Sequence, residues 1–124
     1  FLVSSKNFSD LKALMLNDNI ITPFGVAIIA KSENFLKLKT LNLFRNEVSD
    51  EGALAFSKST HFPKLETLYL GDNNITDKGA VVLIGSKAFP ALKTLDLGKN
   101  LLGEASAMAA FKVNRKEKVR VIYR

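Results

Sequence analysis

The chain contains no cysteine. That removes disulfides, thiolate metal sites and every cysteine nucleophile at once, and it fits a reducing compartment. Histidine occurs once, as His61 beside Phe62-Pro63. No nucleophile or orienting acid accompanies it at sequence level, so the pattern of an activated base is missing and a solvated loop position is expected. Two-histidine and histidine-carboxylate metal spacings are absent, which argues against zinc. No glycine-rich loop ends in Lys-Ser or Lys-Thr, so no phosphate cradle is marked. No apolar run approaches the roughly 20 residues needed to cross a bilayer. The chain opens Phe1-Leu2-Val3-Ser4, without methionine and without a charged-then-apolar signal segment, and so reads as part of a longer protein. No catalytic residue, cofactor or metal is expected.

A length of 124 residues suggests one domain, and 47% hydrophobic with 24% charged residues suits an ordinary globular chain. The net charge of +6 is concentrated in the tail. Lys112, Arg115, Lys116, Lys118, Arg120 and Arg124 face only Glu117, a net of +5, which leaves +1 for residues 1–111. The basicity therefore reads as a C-terminal feature, a solvated end rather than a binding stripe. Neither nucleic acid nor a membrane is expected as a partner. Two glycosylation-type triplets, Asn7-Phe8-Ser9 and Asn74-Ile75-Thr76, are of a kind too frequent by chance to indicate secretion.

What the chain does have is self-similarity. Leu65-Glu66-Thr67-Leu68-Tyr69-Leu70-Gly71-Asp72-Asn73-Asn74-Ile75 reads L-x-x-L-x-L-x-x-N-x-I, and the same pattern starts at Leu11, Leu38 and Leu92, 27 residues apart. Fixed-period repetition identifies a repeat protein. On these residues the sequence resembles the leucine-rich repeat family, in its intracellular, ribonuclease-inhibitor-like class. The resemblance implies an α/β solenoid, a segment of a right-handed horseshoe with parallel strands on the concave face and helices on the convex one. A single domain spans 1–124, with a partial repeat at 1–10, full repeats at 11–37, 38–64, 65–91 and 92–118, and a terminal strand at 119–124.

Within each unit the x-L-x-L core alternates with period two, the mark of a short half-buried strand. Asn19, Asn46, Asn73 and Asn100 follow the strands. In the family this amide turns inward and bonds backbone groups of its own and neighbouring coils, which would otherwise be buried unpaired. Val48-Ser49-Asp50-Glu51-Gly52-Ala53 and Ile75-Thr76-Asp77-Lys78-Gly79-Ala80 carry a shared helix-start signal of capping Ser or Thr and an acidic first turn. Thr22-Pro23 uses proline at the opening helical position. Gly25, Gly52 and Gly79 share one register and suggest close backbone approach. Val26, Ala53, Ala80 and Ala107 are expected inward with Ile29, Phe56, Leu83 and Ala110. Phe8, Phe35, Phe62 and Phe89 read as a stacked spine. Thr40, Thr67 and Thr94 form a structural ladder able to bond sideways.

The last unit departs from the rule. Gly103-Glu104-Ala105-Ser106 replaces the usual helix opening, and Lys116 stands where the next spine phenylalanine belongs, a space Phe111 is expected to fill. Val119, Val121 and Ile122 form a last strand-like run, with Arg124 at the third leucine position. The run reads as a closing coil with a charged edge. At the other end nothing resembles a cap, so end-to-end self-association is expected.

The informative positions are those the repeat does not require. Residues flanking the strand leucines point away from the core, in columns Met15, Asn42, Tyr69, Asp96; Asn17, Phe44, Gly71, Gly98; and Asp18, Arg45, Asp72, Lys99. Met15, Asn42, Phe44, Arg45, Tyr69, Asp72, Asp96 and Lys99 are the candidate partner-contacting residues, because aromatics and arginine are enriched at binding hot spots. The competing reading is that Phe44 merely packs across its neighbours. The resemblance implies a non-catalytic scaffold that binds a protein on its concave face, in the cytoplasm, or in a host cytosol if it is a secreted bacterial effector. The alternative is a regulator that seats a target protein, either a ubiquitin-ligase adaptor or a GTPase activator. In the latter case Arg45, the only arginine before residue 115, would be the supplied cation.

Overall fold

The computed structural model describes residues 9–116 and 118–124. Phe8 and the rest of the first eight residues lie outside that range. Among the described residues, strands and helices alternate as β1 (Ala13–Met15), α1 (Pro23–Lys31), β2 (Thr40–Asn42), α2 (Ser49–Ser57), β3 (Thr67–Tyr69), α3 (Asp77–Ile84), β4 (Thr94–Asp96), α4 (Glu104–Asn114) and β5 (Arg120–Ile122). The five strands form one parallel sheet in chain order. Each strand is only three residues long because the x-L-x-L pattern is that short. The helix in each connection carries the chain back to start the next parallel strand, as parallel pairing requires. This is the architecture expected of a leucine-rich-repeat solenoid.

Register follows the repeat. Leu14, Leu41 and Leu68 pair in turn along the sheet, and Leu68 pairs with Leu95. Leu38, Leu41, Leu43, Leu65, Leu68, Leu70, Leu95 and Leu97 are buried beneath it. The helices close the core with Val26, Ala53 and Ala80, and with Ile29, Phe56, Leu83 and Ala110. Ala107 departs from this set: it is only partly buried, and Ser106 is buried in its stead. The spine forms as expected over Phe35, Phe62 and Phe89, whose ring centroids are 5.9 Å apart at each step. Phe56 adds an edge-on contact to Phe62 at 6.0 Å.

The inward asparagines bind adjacent coils together. Asn46 Nδ2 donates to the carbonyls of Leu16 at 2.9 Å and Leu43 at 3.0 Å, while Asn46 Oδ1 accepts from the Ile21 amide at 3.0 Å. Asn73 repeats this with Leu43, Gly71 and the Val48 amide. Asn100 does so with Leu70, Leu97 and the Ile75 amide. Among the described residues, Asn19 reaches only Leu16 and Asn17 of its own coil. These amides satisfy strand-end groups that the core denies to water.

Two further ladders were not read from the sequence. Ser59 Oγ donates to the Ala30 carbonyl at 2.6 Å and accepts from the His61 amide at 3.2 Å. Ser86 does the same with Ser57 and Ala88. The second ladder is acidic. Asp50 accepts from the Thr76 amide at 2.8 Å, the Thr76 hydroxyl at 2.6 Å and the Gly79 amide at 3.1 Å, all at the start of the next helix. Burial works against the Asp50 charge, but the Thr76 and Gly79 donors outweigh it and hold the carboxyl below its ordinary range. Asp77 takes the amides of Gly103 and Ser106 and the Ser106 hydroxyl. The Ser106 hydroxyl, with the Gly103 amide, lowers the Asp77 carboxyl as well.

The helix starts correct the capping expectation in part. Thr76 caps α3 by accepting from the Lys78 amide, and Pro23 opens α1. Ser49 caps nothing: it lies at φ 56° and its hydroxyl turns to Glu51 at 2.7 Å. Of the registered glycines, Gly79 meets backbone, since a Cβ there would stand 3.0 Å from the Asp50 Cα. Gly25 and Gly52 face side chains of Ile21 and Val48. The threonines pair in register, but no hydrogen bond links their hydroxyls among the described residues. Strands about 4.8 Å apart hold neighbouring hydroxyls too far from one another.

The end of the stack slips by one residue. Thr94, Leu95 and Asp96 pair with Arg120, Val121 and Ile122, so this step spans 26 residues where earlier steps span 27. Tyr123, packed against the core, therefore takes the place expected of Arg124. Phe111 does not fill the spine gap: it is 56% exposed beneath the Arg115 guanidinium, while Val113 and Val119 pack on the core. Asn114, at the end of α4, accepts from the Val121 amide at 2.7 Å and donates to the Val121 carbonyl at 3.2 Å. Since Arg120 and Ile122 bond toward β4, alternation turns the Val121 groups to the outer edge. The Asn114 side chain occupies that edge as a further strand would.

Candidate functional site

The face of the sheet turned from the core is built from rows that the repeat leaves free to vary. Each strand offers its first and third residues there, and the chain then turns sharply. The turn is made by Asp18, Arg45, Asp72 and Lys99, all left-handed with φ between 54° and 61°. Aspartate tolerates that region better than most residues; Arg45 and Lys99 adopt it at a cost of about 1 kcal/mol or more. The turn amides of Asp18, Arg45 and Asp72 each donate to the next strand at 2.9 Å, which holds the geometry.

This turn row is a charge ladder. Arg45 bridges Asp18 at 3.2 Å and Asp72 at 3.4 Å, one coil to either side. Exposed pairs like these add little stability, ~0–1 kcal/mol each, but they fix where the guanidinium lies. A supplied-arginine role would require Arg45 to leave both carboxylates.

The neighbouring row sets Phe44 against glycine. A Cβ on Gly71 would fall 2.9 Å from Phe44 Cδ1, so the ring lies over a position that has no side chain. The Arg45 guanidinium stands 5.2 Å from the ring centroid and Lys99 Nζ 5.8 Å, within cation–π range. Phe44 thus packs across its neighbours and stays partly exposed. On the next glycine of the row, Gly98, the Arg124 carbonyl comes within 2.9 Å of the Cβ position.

The strand row places Met15, Asn42, Tyr69 and Asp96 side by side. Asn42 Oδ1 accepts from the Phe44 amide and Asp96 Oδ1 from the Gly98 amide, each at 2.9 Å. Their carboxamide and carboxylate shape the turns that follow. Met15 is 58% exposed on β1, and Tyr69 is half-buried at the centre of the row. The eight expected residues therefore share one face. Asn42, Arg45, Asp72 and Asp96 use their polar atoms within the sheet, which leaves Met15, Phe44, Tyr69 and Lys99 as the groups most able to turn outward.

His61 differs from the expectation of a solvated loop. It is half-buried, and its Nδ1 is withdrawn from solvent without a hydrogen-bond partner among the described residues. It lines a shallow concavity of about 180 Å³ between α1 and α2, with Ala27, Ala30, Lys31, Ala55, Lys58, Ser59 and Thr60. Among the described residues no cluster of three or more His, Asp or Glu forms a metal-type group, and no helix is long and apolar enough to cross a membrane.

Stacked strand–helix coils, the first four joined in turn by inward asparagines, define a repeat solenoid. Residues 36–57 and 62–83 each match the family model described as Leucine Rich repeat. The two matches support a leucine-rich repeat protein, and the sheet register carries the pattern one coil beyond them on either side. Such repeats are generally protein-interaction modules and typically non-enzymatic. No curated protein matches the chain.

Proposed function

We propose that this chain is a non-catalytic scaffold that recognises a protein partner on the open, concave face of its sheet. The observation that supports this most directly is the Phe44–Gly71–Tyr69 patch. Two aromatic side chains stay partly exposed on adjacent coils, and Phe44 is held by cations over a glycine floor rather than buried in the core. Asparagine, serine and aspartate ladders join the first four coils to one another, so the surface is ordered before a partner arrives. A preorganised surface loses little conformational entropy on binding, and aromatics with flanking cations are favoured anchors.

A photo-crosslinking amino acid at position 69 tests the reading against the same probe at Val82, on the exposed side of α3. Crosslinks to a single partner from position 69, lost in Phe44→Ala, support the concave face. Crosslinks from position 82 alone move the interface to the helices.

A further inference from the structure

The charge of this chain is arranged differently in space from the way it is arranged along the sequence. Lys12, Lys39, Glu66 and Lys93 stand in one line across the leading edge of the first four strands, and Arg120 follows one row on, beside Thr94. The backbone fixes that line: the Lys39 amide donates to the Lys12 carbonyl, Glu66 to Lys39 and Lys93 to Glu66, each at 2.8 Å, while the Arg120 amide reaches the Lys93 carbonyl from the threonine row. Sheet spacing then sets neighbouring members about 4.8 Å apart. Three of the four are cations, and Arg120 adds another beside them. Lys93 meets Glu66 at 3.6 Å and the charge of Lys12 acts on Asp10, while Lys39 and Arg120 form no salt bridge among the described residues. At its β5 end the line opens into a shallow concavity of about 350 Å³ lined by Lys93, Lys118, Arg120, Val119 and Asn114.

We propose that this leading edge seats an acidic peptide segment of the protein partner, lying across the strands. The inference rests on the concave-face reading and names the chemistry the partner presents there. The row next to the cations is Thr40, Thr67 and Thr94, whose hydroxyls carry no hydrogen bond within the described residues and are half-exposed. They are free to donate to carboxylates or peptide carbonyls. Tyr69 follows Thr67 by two residues, so the cationic line and the aromatic patch are one continuous surface. A polynucleotide fits less well. Single-stranded nucleic acid needs aromatic faces on which bases stack, and Phe44 lies over Gly71 with cations at its ring. Glu66 also places a negative charge in the middle of the track.

The test is titration of the full chain with a fluorescein-labelled decaglutamate peptide, with an oligothymidylate of matched charge as the second probe. Lys39→Glu with Lys93→Glu should weaken peptide binding about tenfold or more. Lys112→Glu with Lys116→Glu, the same change in charge at the end of α4, should alter it by less than about twofold. Lys39→Gln with Lys93→Gln repeats the measurement if the reversed pair fails to fold. No peptide binding, equal losses in the two reversed pairs, or tighter binding of the oligonucleotide would each overturn the proposal. If position 69 crosslinks a partner while decaglutamate does not bind, the concave-face reading stands and the acidic segment falls.

Discussion

Ser106 donates its hydroxyl to the Asp77 carboxylate of the preceding coil, as Thr76 does to Asp50 one coil earlier. The two hydroxyls come from different register positions. Where the earlier junction has Thr76 and Gly79, the later one has Gly103 and Ser106. The hydroxyl lost at Gly103 is restored three residues on, at the glycine position of the other coils. Gly103 leaves room for the carboxylate, since a Cβ there would stand 2.9 Å from Asp77 Oδ2. The junction is thus conserved in chemistry though not in sequence.

These carboxylates make stability depend on acid. Both have native pKa values below the ordinary aspartate value. Their contribution is therefore fully present above about pH 4, the unfolded value, and is lost as pH falls through the lowered native values. Urea midpoints should drop more steeply between about pH 5 and pH 3 for the parent chain than for Asp50→Asn with Asp77→Asn. Parallel pH profiles would show that the clamps contribute nothing.

Gly79→Ala should destabilise by about 1–3 kcal/mol, because its Cβ would meet the Asp50 backbone as well as its carboxylate. Gly85→Ala, whose nearest contact is 3.5 Å, should stay within about 0.5 kcal/mol. Chemical denaturation of the two variants separates close approach from generic glycine effects.

Phe62→Ala removes a ring that touches Phe35, Phe56 and Phe89, and should cost about 3–5 kcal/mol. Phe111→Ala, on an exposed site, should cost less than about 0.5 kcal/mol. Similar losses in thermal midpoint for both would contradict the observed end of the spine.

Asn114→Ala leaves both edge groups of Val121 without their protein partner. Hydrogen exchange at the Val121 amide should quicken while the Leu68 amide on β3 stays protected, and the chain should lose about 1 kcal/mol. Unchanged exchange at Val121 would show that the edge is held by other contacts.

Much of this was written in the sequence. Spacing alone placed Leu41, Leu68 and Leu95 over one another and set Phe35, Phe62 and Phe89 in a spine, because one repeat unit must stack on its copies to bury its apolar face. It also set the expected contact residues on a single face, since strand periodicity decides which side chains leave the core. Where the repeat weakens, spacing misleads. A one-residue slip puts Tyr123 in place of Arg124, and Phe111 turns to solvent. No local rule on the chain marks either change.

Which groups meet across coils is settled by stacking and cannot be counted off along the chain. Asp50 and Asp77 look like helix-start residues and act as clamps on the following helix. Arg45 looks like an available cation and is held by two neighbouring aspartates. Lys12, Lys39, Lys93 and Arg120 are scattered through the chain, yet the sheet gathers them at one edge. Residue spacing sets the coil and stacking chooses its partners, because hydrogen bonds and charges act over a few ångströms of space that residue numbering does not measure.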